Sequence, residues 1–226
     1  MATPDDLIVA VLADDAARVA QLVAADPALA DARDAAGVSA IMLSRYRKDR
    51  AVTDALLSAD PDLDVFEAAA LGFADRLEES LAGLPELAFA FSPDGFTALH
   101  LAAFFGKAEA ARILLDHGAR VDVYGRNDFA NQPLHAAAAG RQLEVCRVLL
   151  TAGAVVDAAE HGSVRPLHQA AQHGDVEMSE LFLSAGADPT ALTADGRSAE
   201  DLALAAGHVD LAARLRDVAD HGRPPA

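Results

Sequence analysis

Eight histidines, one cysteine and an acid-rich chain are the residues with which this sequence could do chemistry. Histidine suits metal ligation or proton transfer near neutral pH. Three of the eight, His100, His135 and His168, follow one another at steps of 35 and 33 residues. His168 and His173 are five residues apart, about 140° around a helix, so they do not share a ligand face. No H-E-x-x-H, G-x-S-x-G, P-loop or G-x-G-x-x-G pattern occurs. The acidic run Asp60, Asp62, Asp64 and Glu67 invites a calcium reading. A calcium loop needs glycine at its sixth position and glutamate at its twelfth. Counted from Asp60, those positions hold Val65 and Leu71. Carboxylates entering a helix N-terminus explain the run adequately. Cys146 has no second cysteine for a disulfide or a Cys-x-x-Cys metal pair. In the inward-facing stretch LEVCRVLL it reads as a small apolar core residue of a reducing compartment. No catalytic, metal or cofactor residues are therefore assigned.

The elements that hold these histidines are more telling. Residues 92–124 read as a turn, a short helix, a second turn and a longer helix. Thr97 is placed to cap a helix beginning near Ala98. Gly106 breaks the chain between the helices, and Gly118 sits just past the second one. Ile113, Leu114 and Leu115 form an apolar face that one helix pair cannot bury by itself. Copies follow. Leu99–His100 recurs as Leu134–His135 and Leu167–His168. Leu114–Leu115 recurs as Leu149–Leu150. A Gly-Ala exit stands at residues 118, 153 and 186. A period near 33 with T-x-L-H, A-A, L-L and G-A at linked offsets resembles the ankyrin repeat family.

The resemblance implies an all-α fold: an ankyrin-repeat α-solenoid of about seven helix-turn-helix repeats with short β-hairpin fingers. The expected division is an N-terminal capping repeat at 4–33, a second repeat at 34–64, an irregular third at 65–91 and regular repeats at 92–124, 125–158 and 159–193. A C-terminal capping repeat at 194–220 and a frayed tail at 221–226 complete it. Ile8 to Met42 is a step of 34, but Met42 to Phe66 is a step of only 24. About ten residues, the length of one hairpin, are missing, so one finger should be absent near residues 58–66. Capping repeats need wet outer faces, and the charged ends of the chain supply them.

The resemblance also implies that His100, His135 and His168 are structural, bonding to backbone near the fingers. It places partner binding on the concave side formed by fingers and first helices. Carried over by offset, that surface holds Tyr46, Arg47, Phe96, Phe104, Phe105, Tyr124, Phe129, Asn131, Val164, Gln172, His173 and Arg197. Phe104 and Phe105 read equally as interface anchors or as packing against the next repeat. Arg45, Arg47, Lys48 and Arg50 form the chain's one basic cluster, at an inter-helix turn. The expectation is a solvated turn, and the alternative is a docking point for an acidic group.

The chain carries 35 acidic and 18 basic residues, a net charge of −17. Such a field repels phosphate backbones and argues against nucleic acid. No apolar run of about 18 residues is present, which argues against a membrane span. The N-terminus lacks a basic region before its apolar stretch, so no secretory signal is expected and a cytoplasmic location is. The expected function is a non-enzymatic scaffold binding a protein partner. Two alternatives stand beside it. One is a regulatory or inhibitory subunit of a bacterial cytosolic enzyme, suggested by the Ala/Asp/Arg-rich composition. The other is a small-molecule or metal-binding protein using His161, His168 and His173.

Overall fold

A computed structural model describes residues 2–222. The described residues form seven consecutive helix pairs. They are α1 (Pro4–Leu12) with α2 (Ala16–Ala25), α3 (Ala40–Arg47) with α4 (Arg50–Leu57), and α5 (Val65–Leu71) with α6 (Ala74–Gly83). Next come α7 (Ala98–Phe104) with α8 (Ala108–Asp116), α9 (Pro133–Ala139) with α10 (Leu143–Thr151), α11 (Pro166–Gln172) with α12 (Val176–Ser184), and α13 (Ala199–Ala205) with α14 (Val209–His221).

Local chemistry starts these helices where the sequence indicates. The Thr3, Ser39, Asp64, Thr97 and Ser198 side chains each accept a first-turn N–H. Pro133 and Pro166 open α9 and α11, where a missing N–H costs nothing. The first helices are short and alanine-rich, so they approach closely. A Cβ on Gly140, at the end of α9, would lie 2.2 Å from the Phe104 carbonyl oxygen of α7.

Each first helix packs on the next, from α1 through α3, α5, α7, α9 and α11 to α13. The second helices form a row that thins between α4 and α6 and again between α12 and α14. At the first of these places the chain runs from α4 to α5 through residues 58–64 with no finger. The core divides at the same place. One buried cluster spans Leu7 to Leu63 and the other Val65 to Leu215. A small third cluster of Met42, Ala70 and Leu101 bridges them.

The fingers are tighter than hairpins. Only Arg33–Ser39 and Phe91–Thr97 pair as isolated antiparallel bridges among the described residues. The loops are closed by backbone and side chain together, with Ser92 N–H bonding to the Phe96 carbonyl and Thr193 N–H to the Arg197 carbonyl. Ser92 Oγ accepts from the Phe96 N–H at 3.1 Å, and Thr193 Oγ1 accepts from the Arg197 N–H at 3.1 Å. A five-residue loop closed this way leaves no residues for a longer ladder. Gly95 has φ +83, and a Cβ there would meet the Arg126 carbonyl at 2.5 Å. Arg126 N donates to the Gly95 carbonyl, so adjacent fingers touch backbone to backbone. His221, expected in the tail, instead ends α14. Gly222 follows as its C-cap, and residues 223–226 of the expected tail lie outside the described residues.

Candidate docking grooves along the first helices

The repeated histidines are committed to the scaffold. His100, His135 and His168 are at most 2% exposed. Their Nε2 atoms lie 3.0, 2.9 and 2.9 Å from the carbonyl oxygens of Asn131, Ala158 and Ala191 in the next finger region. Their Nδ1 atoms face the backbone N–H of Thr97, Gln132 and Arg165. Burial pushes His100 and His135 down to about 4, and His168 downward too, so they are neutral at pH 7. Both ring nitrogens of His168 are occupied, which removes it from any ligand set with His161 and His173. Among the described residues no group of three His, Cys, Asp or Glu side chains is placed to hold a metal ion. Cys146 is fully buried, and its thiol is pushed up to about 12 by burial.

Between the fingers and the first helices runs a groove of about 600 Å³. Its apolar wall is Phe96, Phe129, Leu101, Phe104 and Ala136. Phe96 and Phe129 stack with centroids 6.3 Å apart, and Phe129 is 64% exposed. Asp94 and Glu160 lie among its lining residues. Asp94 accepts hydrogen bonds from Tyr46 Oη and Ser92 Oγ. Burial and the adjacent carboxylate hold the Tyr46 phenol protonated. Glu160 accepts from Gln169 Nε2 at 2.8 Å, and burial raises its pKa to about 7. Asn131 is 8% exposed, and its Oδ1 is buried without a hydrogen-bond partner.

Five of the twelve residues placed on the partner surface line this groove: Tyr46, Phe96, Phe104, Phe129 and Asn131. Phe104 is half-buried against the main core and also lines a second cleft on the opposite, turn side, where Phe105 lies. The two rings meet edge to face at 5.1 Å, and Phe105 also lies 5.8 Å from the Tyr46 ring. The remaining six fall outside the groove. Arg47 pairs with Asp14, and Arg197 with Asp195 at 2.7 Å. Tyr124 and Gln172 are exposed, and Val164 and His173 half-buried. The His173 Nδ1 is buried and unpartnered. Sequence reasoning missed Asp94, Asn127, Glu160 and Gln169. The finger positions supply these residues without repeating their type: Glu160 opens its finger as Ser92 does, each N–H bonding to the carbonyl four residues on, while Asp94 lies at the tip between Ser92 and Phe96.

Models of ankyrin repeats match the chain twice, as three copies over residues 65–160 and as many copies over residues 167–216. This chain belongs to the ankyrin repeat family. An ankyrin array built from stacked helix pairs is what the geometry displays. Neurogenic locus notch homolog protein 1 of Danio rerio is 36% identical over 122 residues, 54% of this chain. The match covers 5% of that protein's length. Ankyrin repeats are general protein–protein interaction modules. No helix among the described residues is long and apolar enough to cross a membrane.

Proposed function

We propose that this ankyrin array is a non-enzymatic scaffold that seats a protein partner on its finger and first-helix face. The finger-side groove is the centre of the contact. The observation that supports it is the pairing of an open apolar wall with acidic neighbours. Phe96, Phe104 and Phe129 offer aromatic area of the kind that anchors interfaces. Asp94 and Glu160 sit beside it on a chain of net charge −17. The segment that complements this groove inserts an apolar side chain and carries a lysine or arginine next to it. The repeated histidines are buried in bonds to finger backbone, which supports a structural role for them.

The test is the double variant Phe96→Ala/Phe129→Ala. Partner captured by the wild-type chain should be retained about tenfold less well, the cost of losing interface anchors. Helicity measured by circular dichroism should be unchanged. Full retention by the variant would place the docking surface elsewhere.

A further inference from the structure

The turn-side cleft, about 730 Å³, is opposite in character to the finger-side groove. Its lining includes Arg45, Lys48, Arg50 and Lys107, with Asp54 the one carboxylate among its lining residues. Lys48 and Lys107 are the only lysines in the chain. Most arginines of this acidic protein reach a carboxylate, as Arg33 reaches Asp64 and Arg112 reaches Glu144. Within the cleft Asp54 pairs with Arg50 at 3.6 Å. Arg45, Lys48 and Lys107 have no ion-pair partner among the described residues.

Two of those cations are held where an unneutralised charge is unfavourable. The Arg45 guanidinium lies 4.6 Å from the centroid of the Phe105 ring, and its Nε is buried with no acceptor. Burial pulls the pKa of Arg45 down, and burial together with the neighbouring Arg45 charge pulls Lys107 down. A buried donor left unpaired is destabilising. Lys107 stands at the N-cap of α8, where a cation opposes the helix dipole. Neither Lys107 nor Gln142, which also lines the cleft, caps the helix it opens with its side chain. Two helix N-termini without side-chain caps and the unpaired cations thus border one cleft, a setting that favours an anion.

We infer that this cleft binds the carboxylates of an acidic, apolar-flanked segment of a protein partner. The lining suits an extended chain more than a compact ion. Its cations come from α3 (Arg45), the turn between α3 and α4 (Lys48), α4 (Arg50) and the turn between α7 and α8 (Lys107). Phe104 and Phe105 form an apolar wall between them. A segment alternating glutamate with leucine matches that alternation. This inference stands apart from the finger-side reading, because the probe below engages no finger residue.

The test is fluorescence anisotropy of the full chain with a labelled peptide alternating glutamate and leucine, beside its glutamine counterpart. Saturable binding is expected, weakening about tenfold in Arg45→Gln/Lys107→Gln, as truncating desolvated charge contacts does. It should also weaken as salt shortens the Debye length from about 30 Å at 0.01 M to about 8 Å at 0.15 M. Without peptide, the double variant should melt at or above the wild-type temperature, because it removes unneutralised charge. Lys48→Gln/Lys107→Gln leaves Arg45 on Phe105 and should lose affinity too. Equal binding by the glutamine peptide, or unchanged affinity in both variants, overturns the inference. So does a marked fall in melting temperature, which would make the cations structural. Displacement of the peptide by an equal concentration of inorganic phosphate would also overturn it, in favour of a compact anion. Phe96→Ala/Phe129→Ala should bind the peptide normally.

Discussion

The two grooves that meet at Phe104 lie along the same first helices, yet one is rimmed by carboxylates and the other by cations. Backbone chemistry sorts much of this charge. Finger loops favour short side chains that accept hydrogen bonds within the turn: Asp34 accepts from the Val38 N–H, and Asp94 and Asp195 from the Ser92 and Thr193 hydroxyls. The opposite rim holds the C-termini of the first helices, where cations are favoured by the dipole, and α3 ends on Arg45 and Arg47. Two residues escape this sorting. Glu160 is pulled toward its neutral form by burial, and Lys107 brings the wrong charge to a helix N-terminus. The comparison teaches that composition of a groove is partly inherited from the scaffold. The residues that the scaffold does not explain are the ones to test.

The sharpest way to break the comparison is Phe104→Ala, because this side chain belongs to both walls. Its half-buried ring packs on the core, so stability should fall by about 2 kcal/mol, measured by urea unfolding. Partner capture and acidic-peptide binding should both weaken. If only one weakens, the grooves do not share that wall in solution.

A smaller effect is expected from Glu160→Gln. The folded state raises this group to about 7 from 4.5, so it holds a proton that the unfolded chain releases. The associated stability is present below the unfolded value and is lost as pH rises through about 7. The wild-type melting temperature should therefore decline across neutral pH, and the variant should flatten that decline. His100 and His135 act in the other direction. Held down at about 4 from 6.5, they withdraw stability as pH falls below 6.5 in both proteins. An identical melting profile for variant and wild type would show that Glu160 titrates normally.

Much of the scaffold is legible in the residues themselves. Period, capping and close approach are local demands, and Thr97, Pro133 and the Leu-His pairs meet them wherever they recur. The short step from Met42 to Phe66 marks the lost finger, and the core divides there. The grooves are less legible, because they join side chains from separate repeats. Tyr46 reaches Asp94, 48 residues away, past the fingerless third pair. Arg45 reaches Phe105 across the same gap. A reading by offset assumes regular stacking, and regular stacking fails at that place. The offsets also run out to Gln172 and Arg197, which do not line the apolar groove.

The most direct measurement places a photo-activatable amino acid at Phe129 on the finger side, and in a second protein at Arg112 on α8. Both positions are partly open to solvent, but only the first borders the apolar groove. Irradiation in lysate should yield a discrete cross-linked polypeptide from position 129 and none from position 112. Equal labelling from both positions, or a product from position 112 alone, would contradict docking on the finger and first-helix face.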